Sequence, residues 1–188
     1  MNPRFWLAIL VLALAAAGTW WLLRRVTPPA TPPPAAATHA PDYIVTGATV
    51  TTFNQQGKPQ VLMTSPRMLH HPDDDSVDVF APRIQYFVSG SPPWHVTADH
   101  ALLPSGGQLV DLDGHVTMEH ASANGGAPLL IQTDTMQVNL NTNVATTSDP
   151  VVITQGASRM TGIGMQAYLN ENHLVLQSSV RGSYAHQH

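Results

Sequence analysis

The stretch Thr133–Thr154, T-D-T-M-Q-V-N-L-N-T-N-V-A-T-T-S-D-P-V-V-I-T, decides the fold class. Met136, Val138 and Leu140 alternate with Gln137, Asn139 and Asn141, a turn follows at Asn141–Asn143, and a second extended run carries Val144, Val151 and Ile153. Alternation with a period of two on both sides of an Asn-rich turn predicts an antiparallel hairpin with one dry and one wet face. The unit recurs. Thr97–His120 turns at Pro104–Gly107 and returns with Val110, Leu112, Val116 and Met118 on one face. Thr161–Tyr184 turns at Asn170–Asn172, and a looser copy, Thr64–Val88, turns at His71–Asp75. Copies about 30 to 36 residues apart signal an array of supersecondary units, none able to bury its apolar face alone. Stacking is therefore expected.

Working outward, Tyr43–Phe53 is rich in Val, Ile and Thr and ends at Asn54–Gly57, a hairpin loop that Lys58–Leu69 answers. Ser76–Val88 places Phe80, Ile84, Tyr86 and Val88 on one parity, and Ser89–Pro93 breaks it. About nine strands of roughly 9 to 13 residues, joined by short turns, predict an all-β antiparallel meander. Such lengths exceed the usual five or six residues. The expected fold is an elongated, twisted antiparallel β-jelly roll or open double sheet. Its last strand carries Leu174, Leu176, Val180 and Tyr184 on one parity, with no later strand to cover it. A long uncovered edge invites strand addition by another chain.

The N-terminal end differs in kind. Phe5 to Leu23 is apolar apart from Gly18 and Thr19, with Trp6, Trp20 and Trp21 near its ends. At ~1.5 Å per residue it spans roughly 28 Å, close to the ~30 Å of a bilayer core. Phe5, Trp6, Trp20 and Trp21 read as membrane-anchor residues of a single transmembrane α-helix, the aromatics forming its interfacial belt. Ala15–Ala17 offers a cleavage site, but the apolar run continues to Arg24-Arg25, which suits an anchor better than a removed signal. One Arg before the run and two after it do not decide its orientation. Val26–Asp42 holds six prolines among Ala and Thr, a semi-rigid polyproline-like spacer. The expected organisation is anchor 1–25, linker 26–42 and β-domain 43–188.

Charge and composition exclude several classes of function. Three of the eight basic residues flank the apolar run, so the remaining five face all twelve acids, a formal balance of −7. Nucleic-acid phosphates need the opposite sign. Cysteine is absent, so there is no disulfide framework. His70-His71 beside Asp73–Asp75 reads as a solvated Pro/Asp turn rather than a cation site. His95 and His100 fall on one arm of a hairpin and His115 and His120 on the other, with His100 expected across from His115 and His95 across from His120. A spacing of five residues alternates faces, so no three of them share a side. A catalytic zinc needs three protein ligands, so no metal site is assigned. There is no Gly-x-Ser-x-Gly elbow, and Gly162-Ile163-Gly164 lacks the third glycine and the helix of a dinucleotide motif. The reading is non-enzymatic and without a cofactor. An aliphatic, Met-rich inner face is then either a packed core or a groove for acyl chains.

Five phrases carry a resemblance. W-H-V-T-A-D-H-A-L (Trp94–Leu102), L-D-G-H-V (Leu112–Val116), I-Q-T-D (Ile131–Asp134), S-D-P-V-V-I (Ser148–Ile153) and V-R-G-S-Y (Val180–Tyr184) resemble the LptC family, the bitopic subunits of the lipopolysaccharide export machinery. Their repeat and fold are shared with LptA and LptD, while the N-terminal anchor and single-domain length point to LptC. The Pro-rich linker and His-rich tail depart from the family pattern. The resemblance implies an inner-membrane protein with its N-terminus in the cytoplasm and its β-jelly roll in the periplasm. It would receive lipopolysaccharide from ABC transporter subunits similar to LptB, LptF and LptG, and pass it edge to edge to an LptA-like protein. Lipid-contacting positions would fall at Ala48, Phe80 and Leu174, with Ile84, Met136, Val138 and Leu176 lining the same dry path. Gly156, Val180, Arg181 and Tyr184 would face the partner. The alternative is a structural adaptor that recruits a partner by its edge strand without carrying lipid.

Overall fold

The computed structural model describes residues 12–22, 39–54, 56–122, 125–171 and 173–183. The chain divides into two compact units, Met1–Thr38 and His39–His188. In the first, residues 12–22 are helical and exposed, and the Thr19 hydroxyl donates to the Ala15 carbonyl at 2.8 Å. Among the described residues no helix is long and apolar enough to cross a membrane. Phe5 and Trp6 lie outside the described residues, as do Tyr184 and most of the proline-rich stretch.

The second unit is all antiparallel β. Its strands are β1 (Tyr43–Phe53), β2 (Pro59–His71), β3 (Ser76–Phe80), β4 (Arg83–Tyr86), β5 (Trp94–Thr97), β6 (His100–Leu103), β7 (Leu109–His120), β8 (Leu129–Asn139), β9 (Val144–Gln155), β10 (Ser158–Tyr168) and β11 (His173–Ser183). They form one sheet, β11-β10-β9-β8-β7-β5-β4-β2-β3-β6, with β1 added to β2 and β6 also paired to β7. The hairpin pattern of the sequence holds. Leu109–Asn139 pair as β7–β8, and Asn139 pairs with Val144 around the Asn-rich turn. Nine expected strands become eleven because two runs are broken in the middle. β3 and β4 are separated at Ala81–Pro82, where Ala81 has φ +43°, and β5 and β6 at Ala98–Asp99.

These breaks belong to a line of kinks that runs across the sheet. Gly47 in β1 has φ +63° and lies beside Ser65–Pro66 of β2. The Ala81 N–H donates to the Asp99 carbonyl, and the Asp99 N–H to the Gly114 carbonyl. Gly114 and His115 are both left-handed, β9 carries an extra residue between Thr147 and Pro150, and Gly164 and Ser179 continue the line into β10 and β11. Each kink interrupts a ladder that cannot leave its polar groups unpaired. Small polar side chains replace the lost bonds. The buried Ser65 hydroxyl lies 2.8 and 2.7 Å from the Arg67 and Phe80 carbonyls and accepts from the Arg67 N–H at 3.1 Å. Thr147 accepts from the Asp149 N–H, and Asp149 accepts from Thr135.

Bulges add curvature, and the sheet rolls until distant strands face each other. Gln60 at the start of β2 donates to the Leu140 carbonyl beyond β8, and the Trp94 indole donates to the Leu169 carbonyl beyond β10. Inside the roll lies one apolar core that includes Val79, Val116, Met118, Ile131, Val151 and Met165.

The kinks also overturn two expectations about facing. Phe80 and Ile84 do not share a side. The Ala81–Pro82 break shifts parity, so Val79 is buried while Phe80 turns outward against Arg67 (4.0 Å to the ring) and His100. Val180 does not follow Leu174 and Leu176 inward, because β11 carries an extra residue at its kink, and Val180 is 53 % exposed.

Candidate functional site

Within the roll, side chains from β1, β2, β4, β5, β6, β7 and β8 meet around one apolar space. Between them is a slit lined by Val50, Met63, Ile84, Val110, Val138 and Leu140, among others, with no charged side chain among the described residues that line it. The alternation of each strand puts these residues there, since every second side chain points to the same face. The slit is narrow, with a cavity volume of about 70 Å³. Val50 and Thr52 line it from the edge strand β1, and Val50 is also 40 % exposed to solvent.

A polar clasp closes the turn end. The Tyr86 hydroxyl donates to the Asn143 side-chain oxygen, which also accepts from Gln60, and Leu169 accepts from Trp94. Burial pushes the pKa of the Tyr86 phenol above its ordinary range. It therefore stays a neutral donor.

Of the residues expected to contact lipid, Ile84 and Val138 line this slit. Met136 is buried in the core, and Leu174 and Leu176 are half-buried against the core from β11. Ala48 packs on the core from β1 and also borders a separate shallow depression with Thr64, Ser65 and Arg83. Phe80 lies outside. Lining residues not singled out from the sequence include Val61, Met63, Tyr86 and Leu103. The alternation of Val61 and Met63 in β2 was the signal that could have found the first two.

Both sheet ends are bare. Among the described residues β1 pairs only with β2, and β11 only with β10. Val180 and Arg181 are exposed on β11, and Gly156 forms the left-handed β9–β10 turn at φ +60°.

The histidines fall into separate settings. His120 stacks on Trp94 at 4.3 Å rather than meeting His95, which pairs with Glu119 instead. Burial lowers the basicity of His120. His100 lies opposite Asp113 rather than His115, and His115 bonds Asp99 at 2.6 Å, which raises its basicity. His70 bonds Asp42 at 2.7 Å and Asp75 at 3.0 Å. These two carboxylates, Asp42 first, raise the basicity of His70, while His70 holds Asp42 below the ordinary carboxylate range. The expected solvated turn at His70–Asp75 needs correcting for one residue. His71 is 4 % exposed, its ring lying 3.9 Å beneath that of His39 and nearly parallel to it.

Among solved structures, the fold is similar to that of LptH from Pseudomonas aeruginosa, described as the LptA-homologous periplasmic component of the conserved lipopolysaccharide transport device. The match has a TM-score of 0.53 at 11 % identity and covers 66 % of this chain and 94 % of that one. No curated protein matches the sequence. The profile described as lipopolysaccharide-assembly, LptC-related, matches residues 8–185 and so spans the apolar run, the spacer and the whole rolled sheet. By that match the chain belongs to the LptC family.

Proposed function

We propose that this chain is a non-enzymatic carrier of lipopolysaccharide, holding acyl chains in the slit while the sugar stays in solvent. The observation that carries the reading is an apolar slit, with no charged side chain among its described lining residues and lined in part by the edge strand β1, in a chain of a lipopolysaccharide-assembly family. Each methylene moved from water into such a slit contributes about 0.8 kcal/mol. A multi-acyl lipid is held firmly and leaves when more lipid arrives behind it.

In this reading the Phe5–Leu23 run anchors the protein in the inner membrane with the N-terminus cytoplasmic. The β-domain stands in the periplasm beside ABC transporter subunits similar to LptB, LptF and LptG, whose ATP hydrolysis drives transport. The β11 edge, with Val180, Arg181 and Tyr184 and the nearby Gly156 turn, receives the next, LptA-like jelly roll by strand addition.

The narrowness of the slit favours a second reading, an adaptor that pairs by its edge and carries nothing. Lipopolysaccharide binding to the full-length chain in detergent separates the two. The carrier binds, and Ile84→Asp weakens binding at least tenfold, since a carboxylate in an apolar slit costs several kcal/mol, the variant being assayed below its lowered melting temperature. A photo-crosslinker at Ile84 or Val138 labels lipopolysaccharide, and one at Phe80 does not. Absence of binding and labelling leaves only the adaptor.

A further inference from the structure

The outer face of the β2–β3 hairpin carries a constellation that the lipid reading does not use. The Asp78 carboxylate lies 2.9 Å from His71 Nε2 through one oxygen and 3.3 Å from His100 Nε2 through the other. A carboxylate accepts only, so His71 carries its proton on Nε2, and its other nitrogen, Nδ1, offers a lone pair. That Nδ1 is fully buried and has no hydrogen-bond partner. A buried, unpaired polar atom costs about 1–3 kcal/mol and calls for an explanation. Stacked on the His71 ring at 3.9 Å is the His39 ring, whose Nδ1 lies 3.2 and 3.0 Å from the oxygens of the Asp73 carboxylate. One ligand atom from each of His39, His71 and Asp73 falls within 4.8 Å of the others.

We propose that His39, His71 and Asp73 bind a divalent late first-row cation, zinc above all, with Asp78 as the outer-sphere carboxylate that orients His71. Two imidazoles and a carboxylate, with water in the fourth position, suit zinc in tetrahedral geometry. The Asp78–His71 bond has the form of the carboxylate–histidine–metal arrangement, in which the non-ligating nitrogen donates to a carboxylate and fixes the ring. Stacked parallel rings aim their lone pairs side by side, not at a common point. Binding therefore requires one ring to rotate, and it is the exposed His39, whose bonded partner Asp73 is itself a proposed ligand, that turns while His71 is held by Asp78. Tetrahedral ligands at ~2.0–2.1 Å from zinc stand roughly 3.3 Å apart, a contraction that rotation of His39 supplies. The ion would staple residues 39–42, where the chain enters the β-domain, to the β2–β3 turn. The sequence obscured the site because residue 39 lies more than thirty positions before its partners.

The test uses full-length protein in detergent, stripped by chelator and titrated with Zn²⁺ against a chromophoric competitor. His186→Ala and His188→Ala are carried throughout to remove the His-x-His tail. One ion per chain is expected with micromolar or tighter affinity. His39→Ala should weaken binding at least tenfold, and because that ring is exposed, misfolding would not explain the loss. Asp78→Asn should weaken it about 10- to 100-fold, the range for outer-sphere partners, and His173→Ala should change nothing. Co²⁺ should give a tetrahedral visible spectrum that disappears in His39→Ala. Binding no tighter than about 0.1 mM, or affinity unchanged in both His39→Ala and His71→Ala, overturns the site.

Discussion

β1 and β8 are both eleven-residue strands with alternating character, yet they end in opposite states. β8 is paired on both sides and buries Ile131, Thr133, Met136 and Val138. β1 is paired only to β2, and of its eleven residues Ala48 alone is not exposed. Ile44, Val45, Val50 and Phe53 all stand in solvent. Alternation thus records a capacity to pack, and what lies opposite decides whether it is used. In β8 the opposite wall of the roll is protein. In β1 one edge and much of one face are left for something else, which the carrier reading fills with acyl chains.

The largest effect expected from this contrast is in stability. Met118, fully buried in β7 beside β8, should cost about 2–5 kcal/mol when cut to alanine, read as a lowered midpoint in denaturant. Val50→Ala in β1 should stay within about 0.5 kcal/mol. Comparable losses at both positions would mean that β1 is packed as tightly as the interior.

Second comes the kink line that lets the sheet roll. Ser65→Ala removes the hydroxyl serving the Arg67 and Phe80 carbonyls and the Arg67 N–H, and should destabilise by about 1–3 kcal/mol. Gly114→Ala should do comparable harm. Its φ is +76°, and the new Cβ would meet Asp99 at 2.6 Å. Thermal melts of both variants measure this, and wild-type melting of either would refute the role given to the kinks.

Smaller differences should appear in amide hydrogen exchange. β8 amides should approach the protection of global unfolding, whereas the β1 amides that point away from β2 should exchange through local opening. Added lipopolysaccharide should slow β1 and leave β8 unchanged. Slowing confined to β11 would favour the adaptor.

The smallest effect concerns pH. The start of β1 is held by the Asp42 N–H donating to the His70 carbonyl and by the His70–Asp42 side-chain pair. The basicity of His70 is raised by folding, so its contribution is complete below its ordinary value near 6.5 and disappears as pH rises through the higher folded value. The acidity of Asp42 runs the other way: its contribution is present above ~3.9 and lost as pH falls through a lower folded value. Together they favour β1 most between about pH 4 and 6.5. Asp42→Asn should flatten the small decline in melting temperature between pH 6 and 8. An identical decline in the variant would assign it elsewhere.

Much of this molecule was legible in its sequence. The alternation of Met136, Val138 and Leu140, the turns at Asn54–Gly57, Pro104–Gly107 and Asn141–Asn143, and the bare last strand all appear where the pattern placed them. These features are local: side-chain direction alternates with every residue, and turn residues act over three or four positions. The placement of Ile84 and Val138 in one slit follows from the same rule once the roll is known. What the tertiary structure alone decided is non-local. Whether Phe80 faces inward depends on the Ala81–Pro82 kink, which is tied to Asp99 in another strand break, and one extra residue reverses every side chain beyond it. Whether His71 is solvated depends on His39 lying over it, a contact that no spacing rule foresees. Strand and turn were written residue by residue, while facing and burial were set by which distant strands the roll brought together.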